Sequence, residues 1–184
     1  DTQSFVRLFL YANVIDIKGM IATTSCWQKS RIAPESISKL VTAYGKVRPN
    51  LLLHEGAYPT ELYLKSIIKK GQPKYGMSEV CSGKDSEGSN WIIKELENND
   101  ARPLWLSVWG GANTMAQALF KLQATNTQEQ FKTLVSKLRV YTISDQDDSG
   151  IWMRNTFPDL FYIVSPGDFY SSATWSSING VHAH

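Results

Sequence analysis

Apolar positions recur along this chain with two alternating periods, and the alternation sets out an order of elements. In PESISKLVTAYGKV, Ile37, Leu40, Val41 and Tyr44 have the spacing of an amphipathic helix that opens at Pro34. SFVRLFLYAN predicts a helix with a broad apolar side, and KGMIATTS a strand. NLLLH predicts a short buried segment, and PTELYLKSIIKKG a helix opened by Pro59 and closed near Gly71. GQPKYGM through GKDSEGS is loop, and GSNWIIKELENN returns to helix. RPLWLSVWGG predicts a strand ended by glycines, and ANTMAQALFKLQA and TQEQFKTLVSKL predict helices. RVYTIS is a strand, SDQDDSG a loop and LFYIVS a further strand.

Strands alternating with helices imply crossover connections, hence an α/β fold with a mostly parallel sheet and helices on both faces. The strands' continuous apolar runs agree with burial from both sides. Ligands of such sheets lie beyond the carboxyl ends of the strands. The unusual loops fall there: TTSCW, VWGGANT and SDQDDSG each follow a strand.

Composition then narrows the function. The chain has 184 residues, enough for one domain with a substantial core. Its net charge of +2, without a basic stripe, offers nothing to nucleic acid. No apolar run reaches the roughly 20 residues of a membrane span. Cys26 and Cys81 lie far apart, outside any zinc-type spacing, and their pairing is open. Motifs for a serine elbow, a zinc helix, a phosphate loop and a dinucleotide fold are missing. His182 and His184 are terminal, while His54 ends the apolar NLLLH, read as a strand end, where a structural hydrogen bond and a catalytic role are both open.

What remains is oxygen. Asp1, Asn113, Asp145, Asp147 and Asp148 are the kind of donors that suit a hard cation or carboxylate acid–base work on a sugar. DQDDSG fits the start of a calcium-binding EF-hand loop, but the twelfth position is Thr156 rather than Glu, and a strand leads in. The alternative is a solvated acidic turn that caps the next helix. In VWGGANT, Asn113 or Thr114 is expected to cap a helix, beside glycines that admit a close backbone approach.

DTQSFVRLFLYAN, GMIATTS, NLLLHEGAYP, GKDSEGS, RPLWLSVWGGANTMAQAL and KLRVYTISDQDDSGIWMRNTFPDLFYI, with ATW near the end, run in order along the chain. On these stretches it resembles the nucleoside-hydrolase-like domain of a bacterial family of cellulose-binding proteins, similar in fold to the inosine–uridine nucleoside hydrolases. The resemblance implies a Rossmann-like architecture over residues 1–184, with a first strand and a C-terminal part missing and the general base expected upstream of Asp1. It implies that Asp1 and Asn113 are Ca²⁺ ligands. It places Trp27, Asp85, Asn113, Asp145, Asp147, Asp148 and Trp175 around the substrate. The implied activity is Ca²⁺-dependent hydrolysis of a glycosidic bond, in a nucleoside or a carbohydrate, with this stretch alone inactive. The same resemblance admits a non-catalytic cellulose-binding module with Trp27, Trp109, Trp152 and Trp175 as stacking rings, or a degenerate hydrolase fold kept for partner binding. It also implies an extracellular or periplasmic location.

Overall fold

The computed structural model describes residues 2–165. Along them run α1 (Thr2–Leu10), β1 (Met20–Ala22), α2 (Pro34–Leu51), α3 (Glu61–Ser66), β2 (Ile68–Lys70), a 3₁₀ turn (Met77–Glu79) and α4 (Glu87–Glu97). Then follow β3 (Leu104–Val108), α5 (Asn113–Thr125), α6 (Gln128–Ser136), β4 (Leu138–Ile143), α7 (Ser149–Thr156) and β5 (Phe161–Ser165). Every strand pair among the described residues is parallel: β1 with β2, and β3–β4–β5 in that order. The α/β architecture read from the alternation of periods holds.

Local chemistry starts the helices. Pro34 opens α2, whose Ile37, Val41 and Tyr44 are buried, with Leu40 packed against the same cluster. Thr60 Oγ1 accepts from the Tyr63 amide at the head of α3. Ser86 with Ser89, and Thr127 with Gln130, form capping boxes on α4 and α6.

Two apolar clusters follow. Met20 and Ala22 pack with α1, α2 and α3, while Ile21, pointing the other way, packs with the cluster of α4, α5 and α7. So β1 is covered from both sides, as a parallel strand should be. At the centre of the larger cluster lies α5, whose Ala116, Ala118 and Leu119 are fully buried. Small residues there let α4 and α7 approach closely.

Two expectations change. PTELYLKSIIKKG does not run as one helix: α3 ends at Ser66, and Ile68–Lys70 pairs with Met20–Ala22 as β2. Ladder bonds to β1 take the backbone groups that another helical turn would have used. NLLLH is not a buried segment either. Asn50 and Leu51 finish α2, and Leu53 in the turn beyond is 83% exposed. His54 therefore sits in a surface turn after a helix, not at a strand end.

Candidate functional site

The loops that leave the strands at their carboxyl ends meet through backbone bonds. The Gly71 amide donates to Ala22 O at 2.9 Å, tying the end of β2 to β1. The Gly111 amide donates to Thr24 O at 2.8 Å, tying the turn after β3 to the same place. A Cβ on Gly111 would stand 2.5 Å from Asp147 Oδ2 and 3.3 Å from Thr24 O, so only glycine fits without displacement. The loop after β4 is thereby locked onto the other two.

Asp147 fills this junction. Its Oδ1 accepts from the amide and hydroxyl of Ser149, and its Oδ2 from the Asn113 amide at 3.3 Å. One buried carboxylate thus serves the N-termini of α7 and α5 together, where unpaired amides and the helix dipoles favour negative charge. Burial pushes its pKa up, against the pull of the hydroxyl and amide donors. The acidic turn is not solvated at this position.

The other acids of SDQDDSG are also committed. Asp145 is held by both guanidinium nitrogens of Arg154, at 2.9 and 2.7 Å. Asp148 reaches back to accept from the Met77 amide at 2.8 Å, beside Gly76, whose φ of 76° suits glycine. In this way Asp148 pins the 3₁₀ turn rather than capping α7 with its side chain.

Asn113 is the first residue of α5 and not its cap, a place taken by Ala112. Fully buried, it donates through Nδ2 to Lys74 O at 2.8 Å and to Gly76 O at 3.3 Å, while Oδ1 has no partner. Gln117, one turn on, exchanges bonds with the Cys81 backbone and donates to Asp85 at 2.8 Å. Lys121, a further turn on, pairs with Asp85 at 2.5 Å. Asn113, Gln117 and Lys121 therefore form a polar stripe that zips the 72–90 loop onto α5. Asp85 lies at the far end of that stripe, away from the junction, with Lys121 and then Gln117 holding its pKa below the ordinary value.

Neutral residues complete the edge, and scanning for acids missed them. Gln146 is buried; it donates to Trp109 O at 2.7 Å and lies 3.6 Å from the Cys26 thiol, and its own carbonyl accepts from Tyr75 OH. It joins four loops at once. The signal available in the sequence was a neutral amide inside an otherwise acidic turn.

Trp27 is 90% exposed at the tip of a turn closed by reciprocal bonds between Ser25 and Gln28. The Lys29 ammonium lies 4.8 Å above the Tyr75 ring beside it. Trp109 packs edge-on against Phe5 at 5.2 Å, which brings α1 to the turn after β3. Trp152 is set at 90° against Phe157. Both cysteines are free thiols on the surface. Asp1 and Trp175 lie outside the described residues.

The fit of a calcium ion can be judged from the oxygens present. Among the described residues no group of three His, Cys, Asp or Glu is placed to hold a metal. Asn113 Oδ1 is one free oxygen, and the carboxylates near it already have protein donors. These residues do not by themselves make a cation centre.

The whole length, residues 1–184, matches the family model described as Cellulose-binding Sde182, nucleoside hydrolase-like domain. The chain is also similar to a solved structure, that of a nucleoside hydrolase-related hypothetical protein from Saccharophagus degradans that is associated with carbohydrate metabolism. The two share 46% identity over 90% of this chain, with a TM-score of 0.88, and the match spans 40% of that relative's length. No curated protein matches.

Proposed function

The chain belongs to the nucleoside hydrolase-like domain family of cellulose-binding Sde182, and from that premise we propose that its strand edge is a carbohydrate-binding surface for a β-linked glucan. The observation that carries this reading is Trp27, an open indole on a turn already fixed by Ser25 and Gln28. The turn fixes the backbone that carries the ring, and the apolar face of an exposed indole suits the C–H face of a pyranose. Lys29, two residues on and over the Tyr75 ring, supplies a cation to meet hydroxyls.

The shape of the edge limits the form of the glucan. Trp109 is engaged with Phe5 and Trp152 with Phe157, so neither lies with Trp27 in a flat platform. A single glucan chain or its end suits this edge better than a crystal face. Such a polymer is met outside the membrane, which makes the protein extracellular or periplasmic in this proposal.

A second reading, glycosidic-bond hydrolysis of the nucleoside-hydrolase type, is favoured by the likeness in fold to a nucleoside hydrolase-related protein. It places the general base and the calcium ligand Asp1 outside the described residues. A bound calcium would supply an acidified water and hold sugar hydroxyls. The described residues would then orient the sugar.

Calorimetric titration with cello-oligosaccharides tests the proposal. Binding is expected, and Trp27→Ala should weaken it up to about tenfold, the worth of one stacking contact. Binding that is indifferent to Trp27 would overturn the reading. Release of reducing ends or free base that is abolished by a calcium chelator would put hydrolysis in its place.

A further inference from the structure

The segment that carries Trp27 also carries two cations, and they are held differently. Arg31 is spent on Glu35 in an ion pair. Lys29 is exposed and enters no ion pair among the described residues. Its ammonium lies instead 4.8 Å from the centre of the Tyr75 ring, above its face, an attraction that leaves the charge unneutralised. Tyr75 is itself fixed, because its hydroxyl donates to Gln146 O in the loop after β4.

The acids of that loop serve other partners. Asp147 accepts from Ser149 and from the Asn113 amide, Asp148 from the Met77 amide, and Asp145 is bound to Arg154. An ammonium has three donors, and a ring face occupies one side of it. The remaining N–H groups of Lys29 are open to a ligand. A hydroxyl there gains a neutral acceptor's bond, whereas a carboxylate gains a charge-assisted one, roughly twice as strong.

We propose that this edge selects an acidic glycan: a β-linked chain in which a uronic-acid carboxylate pairs with Lys29 while a neighbouring pyranose stacks on Trp27. The inference rests on the reading of Trp27 as a sugar platform and adds the choice of sugar to it. Two residues of chain span at most about 7 Å, which sets the indole and the ammonium within reach of adjacent sugars. Trp27 makes a contact that any pyranose can share. Lys29 discriminates among them, so it is the specificity-determining residue of the edge.

Calorimetric titration of this chain tests it, with cellotetraose compared against the same tetramer carrying a glucuronate at its non-reducing end. At low salt the acidic tetramer should bind about twofold to fivefold tighter, the worth of one exposed ion pair. That advantage should vanish in about 1 M salt. Lys29→Met, which keeps the stem and removes the charge, should bring the ratio of the two affinities to one, and Lys29→Arg should keep it. Equal affinities in the parent, or a ratio that survives Lys29→Met, would overturn the proposal. Cellotetraose binding that still needs Trp27 would in that case leave the indole reading standing. Failure of both tetramers to bind would overturn the two together. Dextran sulfate that competes as well as the acidic tetramer would assign the preference to charge without sugar recognition, and that too overturns it.

Discussion

Replacing Gly111 by Ala tests whether the three loops at the strand edge form a rigid junction. The added Cβ would stand 2.5 Å from Asp147 Oδ2, too close for either group to stay in place. Asp147 has little room to retreat, because Ser149 holds its other oxygen and the Asn113 amide holds this one. The alternative is to push the turn away from Thr24, stretching the 2.8 Å bond from Gly111 N to Thr24 O. Overpacking of this kind costs about 1–3 kcal/mol, and a weakened bond to the neutral Thr24 carbonyl about 0.5–1.5 kcal/mol. The two overlap, so a net loss of about 2–4 kcal/mol is expected, a large share of an ordinary domain's stability. Gly56→Ala is the control: nothing lies within 4 Å of its added Cβ. It should be neutral or stabilise by about 0.4–1 kcal/mol. Urea unfolding followed by tryptophan fluorescence reads the difference as a midpoint lower by about 1–2 M for Gly111→Ala. Equal midpoints for the two variants would refute the reasoning, because they would mean that the junction yields without cost.

Three further outcomes are expected. Leu119→Ala, at a fully buried position in the larger cluster, should lose about 2–5 kcal/mol in the same urea assay. Asn113→Asp should be less stable than Asn113→Ala at pH 7, because it sets a second carboxylate beside Asp147 and turns an acceptor toward the carbonyls of Lys74 and Gly76. Asp85 has a pKa held below its ordinary 3.8 by Lys121 and Gln117, so its contribution is present above 3.8 and fades as pH falls through the folded value. Asp85→Asn should therefore lower the urea midpoint at pH 7, by the equivalent of under about 1 kcal/mol, and the gap to the parent should narrow as pH falls below 3.8.

The parts legible in the sequence were those with a long period or a capping residue. Ile37, Val41 and Tyr44 of α2 are buried as their spacing implied, and the strands around RPLWLS, RVYTI and LFYIVS stand where the apolar runs put them. The convergence of TTSCW, VWGGANT and SDQDDSG also followed from strand direction alone. β2 was not legible. Ile67 and Ile68 continue the apolar rhythm of α3, and a three-residue strand carries too few positions to show a period of its own. Nor could composition show that Asn113, Gln117 and Lys121 form a stripe holding the 72–90 loop, because that loop comes from far upstream. The same holds for Gln146, whose partners Cys26, Tyr75 and Trp109 come from three other loops.

The acids of this edge have a structural duty, and its reason is physical. Where α5 and α7 begin close together, unpaired amides must find acceptors, and carboxylates are the strongest ones available. Asp147 answers that need, Asp148 answers it for the Met77 amide, and Asp145 neutralises Arg154. A general base needs a carboxylate oxygen within hydrogen-bond reach of the proton it takes. At this edge the acids hold the loops together, and the proposed reading gives sugar recognition to Trp27. That division of labour predicts an order of effects. Asp147→Ala strips an acceptor from two helix starts and should cost stability first, about 0.5–2 kcal/mol for each cap lost, with oligosaccharide affinity falling only as the fold loosens. Trp27→Ala should do the reverse, lowering affinity while the urea midpoint stays within about 0.5 kcal/mol of the parent. Affinity or turnover that collapses in a fully folded Asp147→Ala protein would place this carboxylate in contact with the sugar and return hydrolysis to the leading position.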